Sequence, residues 1–300
     1  NGFFQKYNST ELNASFEDSA EKYATAGGSA HTDTSVKKWG TASAQFDGSD
    51  AYLSVPDSSP FNLFANTTDS KTLDFWVNHS TVSSGQVYFM VREAGTDYWF
   101  IRHDSPNILL YGKISDSVFI NQSASAFSNT GAWHHIALVK IADKLGVYVD
   151  GTQIIYTTFS TTKDFAAPLI IGSQDGSSDF FDGYMDEVRW SDSNVFNADP
   201  NSTPDDTITV PTGASTPDSS TKLLLHMDGA NDGTSFPDSS ESANRHDITA
   251  EGDTYNQRPQ PHTVTANGQA HLIGNKVGTS AAFDAVSYTH LRAHETKANL

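Results

Sequence analysis

The apolar runs of this chain are short, and this constrains its fold more than any other feature. Between residues 40 and 190, β-branched and aromatic residues recur in runs of strand length. Gly, Asp, Asn and Ser interrupt these runs about every 8–12 residues, the spacing of an antiparallel sandwich or barrel. No window keeps an apolar stripe of helical period for three turns. The sequence therefore predicts an all-β protein.

The turn chemistry supports the same prediction. Asp150-Gly151 separates two apolar runs and favours a type I′ hairpin turn, which needs positive φ at both central positions. Representative runs are "KTLDFWV" (71–77), "QVYFMVR" (86–92), "DYWFIRH" (97–103) and "WHHIALVKI" (133–141).

Charge and composition restrict the partners. The chain has 36 acidic and 18 basic residues among its 300, a net charge of −18. Nucleic acid and anionic membranes repel such a chain, so neither is a predicted partner. Cysteine is absent, which excludes disulfides and thiolate zinc sites. No apolar run approaches the roughly 18 residues that span a bilayer, so membrane insertion is not expected.

The chain repeats its own beginning after a linker. "SFPDSS" (235–240) matches "SFEDSA" (15–20), "TVTANGQAH" (263–271) echoes "YATAGGSAH" (23–31), and "VGTSAAFD" (277–284) echoes "WGTASAQFD" (39–47). We predict a domain over residues 1–197, a Pro/Ser/Thr/Asp-rich linker over 198–221, and a second, truncated copy over 222–284 that is unfolded or loosely docked.

The start of the chain lacks an initiating Met, and its last residues fit neither copy. The chain starts at Asn1 without Met, which predicts a fragment or a processed form. Residues 285–300 resemble translated sequencing-adapter read-through, so we interpret them as a non-native tail. His290 and His294 in this tail receive no role.

Several segments together carry a family resemblance: "FDGSDAYLSV", "LDFWVNHS", "GAWHHIALVKIADKLGVYVDGTQI", "LIIGS" and "FDGYMDEVRWSDSNVF". They resemble, in order, the signatures of LamG-like jellyroll domains of the concanavalin A-like lectin/glucanase superfamily. The resemblance implies an antiparallel two-sheet jellyroll sandwich, an extracellular location, and frequently carbohydrate binding or adhesion. It implies no catalysis by itself, because this fold hosts many functions.

The resemblance also implies one structural Ca²⁺ ion. Relatives bind a cation where the first and last strands meet, and the matching residues are Asp186 in the last strand and Asn8 in the first. Asp18, at a turn, is a weaker metal ligand, and the alternative is that these acids only hydrogen-bond neighbouring loops.

Aromatic residues are the predicted ligand contacts, since flat rings pack against the apolar faces of sugars. Alternation along one strand puts Tyr98, Phe100 and Arg102 on one face, with Trp99 and His103 on the other. The predicted ligand-binding residues are Trp76, Trp99, His103 and Tyr111, with Asp175 and Asp179 from a surface loop. The alternative is that the aromatic residues fill the core.

The adjacent histidines and the acidic residues do not predict an active site. His134 and His135 point to opposite faces of a strand, so they cannot readily chelate one ion and are interpreted as structural. The spacing of paired carboxylates that glucanases of this superfamily use is absent.

We therefore expect a non-catalytic extracellular recognition module that binds a glycan. The alternative is a structural or adhesion spacer of a virion fibre or tail, or of a bacterial surface protein, with a cell-surface or virion protein as partner. A glycoside hydrolase is the third and least favoured class.

Overall fold

The computed structural model describes residues 15–16, 23–93, 95–240, 264–265, 271–274 and 279–282. The chain divides into two compact units. The larger unit is Lys22–Glu251, and the smaller one combines Asn1–Glu21 with Gly252–Leu300. Among the described residues the only helix is a 3₁₀ turn, Ser59–Phe61, so the all-β prediction is confirmed.

The strands are named here in chain order. The first ten are β1 (Ser15–Phe16), β2 (Tyr23–Gly27), β3 (His31–Asp33), β4 (Ser43–Asp47), β5 (Tyr52–Val55), β6 (Ser70–His79), β7 (Ser84–Glu93), β8 (Asp97–Asp104), β9 (Asn107–Ile114) and β10 (Ser117–Ser125). The others are β11 (Trp133–Ile141), β12 (Lys144–Val149), β13 (Thr152–Thr158), β14 (Leu169–Ile171), β15 (Asp182–Ser191), β16 (Thr221–Leu225), β17 (Ser235–Pro237), β18 (Val264–Thr265), β19 (His271–Gly274) and β20 (Thr279–Ala282).

Two antiparallel sheets form the jellyroll-like sandwich of the larger unit, as predicted. The first sheet has the order β10-β9-β8-β7-β14-β5-β2-β17, and the second has the order β13-β12-β11-β6-β15-β4-β3, with β16 also paired to β15. Strand β9 shows why these sequences form strands: its residues alternate between buried and half-buried, so one face lies on the core. The smaller unit contains the ladders β1–β18 and β19–β20.

Strand β15 joins three neighbours in the second sheet. One edge pairs with β6, while the other pairs with β4 along its first half and with β16 along its second half. A bulge between Asp186 and Arg189 interrupts the ladder with β6, and Glu187 within it has a φ of 52°. The bulge lies where the pairing of the opposite edge changes from β4, which ends at Met185, to β16, which begins at Val188.

Aromatic rings from strands and loops fill the core. Phe64 lies between the sheets at 0% exposure, and its ring makes edge-to-face contacts. Its centroid distances are 5.0 Å to Phe119, 5.2 Å to Phe159 and 5.9 Å to Trp99. These contacts hold the loop around Phe64 against both sheets.

The predicted linker is an ordered strap on the outer face of the second sheet. Ile208 donates its N–H to Gly151 O at 2.8 Å, and Gln153 donates its N–H to Asp206 O at 3.0 Å. Ala198 and Ile208 are buried against Tyr148. This segment therefore does more than link two domains, because its backbone hydrogen bonds to the sheet edge place two apolar side chains against the sheet.

The packing of residues 221–240 also differs from the predicted one, in which they begin an unfolded or loosely docked second copy. Strand β16 pairs with β15, with Leu223 opposite Trp190 and Leu225 opposite Val188, and both leucines lie in the core. The chain then crosses to the first sheet, where β17 pairs with β2. These residues therefore complete the sandwich of the larger unit, while the domain boundaries read from the repeat stay a prediction.

The predicted tail over residues 285–300 lies outside the described residues. Within the part of the chain that the structure describes, no helix has the length and apolar character needed to cross a membrane.

The burial of β16 gives a direct test. Replacing Leu225, which is 0% exposed, with alanine should lower the free energy of unfolding by about 2–5 kcal/mol, because it removes transfer energy and leaves a cavity. Urea denaturation of the full chain measures this. Val118→Ala is the control, because Val118 is 50% exposed and should change stability by less than about 0.5 kcal/mol. Equal effects of the two substitutions would place β16 outside the core.

Candidate functional site

The outer face of the first sheet carries a row of stacked aromatic rings. Tyr98 and Phe100 alternate along β8, and Tyr111 lies opposite Phe100 on β9. The ring centroids are 6.2 Å apart for Tyr98–Phe100, 5.3 Å for Phe100–Tyr111 and 5.9 Å for Tyr98–Tyr111, all nearly parallel. Both tyrosines are half-buried and Phe100 is buried. We name Tyr98, Phe100 and Tyr111 the aromatic face.

Two arginines flank the aromatic face. The guanidinium of Arg92 lies 4.9 Å from the ring centre of Tyr98, and that of Arg102 lies 5.1 Å from that of Phe100. Each also pairs with a loop carboxylate: Arg92 with Asp175 at 2.9 Å and Arg102 with Asp179 at 3.3 Å. The two carboxylates therefore hold the guanidinium groups beside the rings, and the arginine side chains are about a quarter exposed.

The loop that supplies these acids is held in a fixed conformation. Asp175 and Asp179 have φ values of 54° and 49°, and Gln174 bridges to Ser178, donating its N–H to Ser178 O at 2.8 Å. Val87 in β7 donates its N–H to Asp179 O at 3.0 Å, which ties the loop to the sheet. The loop is thus preorganised beside the aromatic face, so a ligand would not have to order it.

The structure brings together three of the predicted ligand residues. Tyr111 belongs to the aromatic face, and Asp175 and Asp179 lie at its rim. Trp99 and His103 point to the other side of β8 and are both 0% exposed, in the core. A buried ring cannot stack on a sugar, so these two predictions are corrected.

Trp76 lies on the other sheet and is covered. Its ring is 5% exposed, with the Lys38 ammonium 3.9 Å from its centre and the His135 ring 5.1 Å away. Trp76 is therefore not open to a ligand, and the four predicted contacts on strands, Trp76, Trp99, His103 and Tyr111, occupy different faces of the sandwich.

His134 and His135 lie on opposite faces of β11, as predicted. His135 Nε2 is 3.3 Å from Asp74 Oδ2, and Asp74 also accepts two hydrogen bonds from Arg189, at 2.8 and 3.1 Å. His134 instead stacks on Phe127 with centroids 4.0 Å apart. The described residues contain no group of three His, Cys, Asp or Glu side chains that could hold a metal ion.

Asp186 is the only predicted metal ligand among the described residues, since Asn8 and Asp18 lie outside them. It is 0% exposed, and its Oδ2 accepts the backbone N–H groups of Lys38 and Trp39 at 2.7 and 3.1 Å. Its neighbour Glu187 accepts from Ser215 N and lies 2.8 Å from His226 Nδ1. Calcium requires oxygen ligands. These N–H neighbours do not form a calcium site by themselves, and the predicted Ca²⁺ stays a prediction.

Two cavities also lie in the larger unit. A cavity of about 540 Å³ lies between the strap and the second sheet, lined by Arg189, Phe196 and residues 209–216. Its arginine is already paired with Asp74, and Phe196 packs edge-on against His135 at 5.7 Å. A second cavity of about 370 Å³ lies beside His79 and Tyr184.

His79 is a buried base whose pKa is lowered to about 3, first by burial and then by the nearby His103. Its Nε2 lies 2.8 Å from the Tyr88 hydroxyl, and its Nδ1 lies 3.0 Å from Thr81 O. A neutral ring satisfies both contacts by donating to the carbonyl and accepting from the hydroxyl.

The lowered pKa of His79 predicts acid sensitivity. Unfolding restores a pKa near 6.5, so the stability that neutral His79 contributes is complete above that pH and declines as pH falls toward 3. Between pH 7 and pH 4 this amounts to about 3 kcal/mol. His79→Gln should therefore lose less stability than the wild-type chain between these pH values. Urea unfolding of both chains at each pH measures the difference, and identical pH dependence would contradict the assignment.

The sequence contained a signal for the contacts that were missed. Tyr98, Phe100 and Arg102 share one face of β8 by alternation, whereas the predicted contacts Trp99 and His103 lie on the other face. No local sequence pattern indicates Arg92 as a ligand contact, since its ion pair with Asp175 joins residues far apart in the chain.

A laminin G family model of the Concanavalin A-like lectin/glucanases superfamily matches residues 47–199. The match covers half of the chain, and the chain therefore belongs to this superfamily, which confirms the predicted resemblance. Comparison with curated protein sequences finds no significant match.

The chain is also similar to solved structures of low sequence identity. Domain 4 of AbnA, an extracellular GH43 arabinanase from Geobacillus stearothermophilus, solved with arabinotriose, is 14% identical, with a TM-score of 0.42, covering 61% of this chain and 78% of that one. Mouse laminin α1 domains LG4-5 are 13% identical, with a TM-score of 0.39, covering 68% and 49%. The chain thus spans about half of the laminin fragment.

Proposed function

We propose that this protein is an extracellular, non-catalytic recognition module that binds a glycan on its aromatic face. The observation that carries the proposal is the row of parallel rings of Tyr98, Phe100 and Tyr111 on a sheet face, flanked by Arg92 and Arg102. Flat rings pack on the apolar face of a sugar, and the arginines and loop carboxylates supply hydrogen bonds to its hydroxyl groups.

The charge around the aromatic face favours a neutral glycan over an acidic one. Arg92 is paired with Asp175, and Arg102 contacts two carboxylates, Asp179 and Asp104. The positive charge beside the rings is thus fully compensated, and the whole chain carries a net charge of −18. A sialylated or uronic acid ligand would meet repulsion without an uncompensated cation to offset it.

The proposal of a non-catalytic role rests on the surroundings of the carboxylates. Glycosidases place two carboxyl groups on either side of the scissile bond. Beside the aromatic face, Asp104, Asp175 and Asp179 instead each lie in an ion pair with an arginine. Asp186 has a pKa raised to about 7 by burial, but at 0% exposure it is out of reach of a polysaccharide.

Tyrosine substitutions test the aromatic face. Tyr98→Ala and Tyr111→Ala should each weaken binding of a neutral oligosaccharide about tenfold, because loss of one stacked ring costs on the order of 1.4 kcal/mol. Glycan-array screening of the full chain identifies the ligand, and titration calorimetry measures the affinities. Tyr156→Ala is the matched control, since Tyr156 is a half-buried tyrosine on the second sheet. An equal loss in all three variants would contradict the assignment of the face.

The array also separates the alternatives. No binding to any neutral or acidic glycan would favour the spacer and a protein partner, and glycan hydrolysis would favour the hydrolase. Melting curves of the full chain, recorded in calcium and again in EDTA, test the predicted ion. A calcium-bound module should lose thermal stability in EDTA and regain it when calcium is restored. Identical melting in both buffers would remove calcium from the proposal.

A further inference from the structure

Two ladders in the chain have the same register, and each joins one repeat to the other. In the larger unit β17 pairs with β2, with Ser235 opposite Thr25 and Phe236 opposite Ala24. In the smaller unit β1 pairs with β18, with Ser15 opposite Thr265 and Phe16 opposite Val264.

The repeat makes these two ladders equivalent. Ser15 in "SFEDSA" corresponds to Ser235 in "SFPDSS", and Thr25 in "YATAGGSAH" corresponds to Thr265 in "TVTANGQAH". The first-strand segment of the second copy is thus paired with the first copy, and the first-strand segment of the first copy is paired with the second.

The other two described strands of the second copy, β19 and β20, pair with each other. In β19–β20, His271 lies opposite Ala282 and Leu272 opposite Ala281. In β3–β4, His31 lies opposite Gln45 and Thr32 opposite Ala44, the equivalent positions. This later ladder of the second copy therefore reproduces the first-copy pattern, and among the described residues the ladders that join the two copies involve the first-strand segments.

We propose that the two repeats exchange their first-strand segments. Residues 221–240 complete the sandwich built by the first repeat, and Ser15–Phe16 of the first repeat pair with the second repeat. The strand that pairs with β2 is thus supplied by the second repeat, and the strand that pairs with β18 is supplied by the first.

Two residues of the 221–240 segment explain why this segment completes the sandwich built by the first repeat. Leu225 is 0% exposed in the core, and the first copy has Gln5 at the equivalent position. Burial of an amide there would cost free energy unless the site supplied a hydrogen-bond partner.

Asp228 is the second residue that favours the second-copy segment over the first-copy segment in this sandwich. Its Oδ1 accepts from the backbone N–H of Thr41, from the Thr41 hydroxyl at 2.9 Å and from Ala42 N at 3.2 Å. The first copy has Asn8 at this position, and a neutral amide oxygen accepts these bonds less strongly than a carboxylate.

Engineered disulfides test the exchange without competition from native thiols, because the chain has no cysteine. The double variant Thr25→Cys/Ser235→Cys should form an intramolecular disulfide in dilute, oxidised full chain, since directly opposed residues of antiparallel strands have Cα atoms about 4.5–5.5 Å apart. The matched variant Thr25→Cys/Ser15→Cys should remain unlinked. Non-reducing gels and peptide mass spectrometry measure the linked fraction.

Each other outcome overturns the proposal. A disulfide between positions 25 and 15 would show that the first copy keeps its own strand, and linkage in neither variant would remove the proposed pairing. A disulfide-linked dimer through positions 25 and 235 would place the exchange between chains. Mixing the two single variants, Thr25→Cys and Ser235→Cys, provides the control, because only exchange between chains can link them.

Discussion

The sandwich depends on the pairing of the strand Asp182–Ser191. This strand joins β6 on one edge to β4 and β16 on the other, so the second sheet is continuous only through it. Arg189 holds the junction by two hydrogen bonds to Asp74 across the ladder with β6. Without β16, half of one edge of the strand would present unpaired backbone groups, which is the form of edge that invites pairing with another segment.

The two outer faces of the sandwich differ in how far they are covered. On the second sheet, the strap buries Ala137, Val139 and Tyr148, and Lys38 covers Trp76. On the first sheet, the aromatic face remains half-buried, with fixed charges at its rim. A ligand of the larger unit therefore has one sheet face open to it, which is why the proposed binding contacts lie on β8, β9 and the 173–179 loop.

Local patterns predicted the strands well, but not the choice between faces or partners. Alternation correctly separated Tyr98 and Phe100 from Trp99 and His103, yet both sets are aromatic. Which set meets solvent depends on how the sheets stack, and that is not local. The repeat likewise identified residues 222–240 as a first-strand segment. It could not assign the sandwich that this segment completes, because the preference depends on burial at positions such as Leu225. The strap escaped prediction because its polar composition hides the contribution of its backbone hydrogen bonds.

The pairing of β17 with β2 determines how this edge of the first sheet responds to force. Tyr23, the first residue of β2, lies directly opposite Pro237, the last residue of β17. The two positions are therefore side by side, about one inter-strand distance apart. A force that pulls them in opposite directions would open the ladder one residue pair at a time, starting from this end, rather than shear it as a whole.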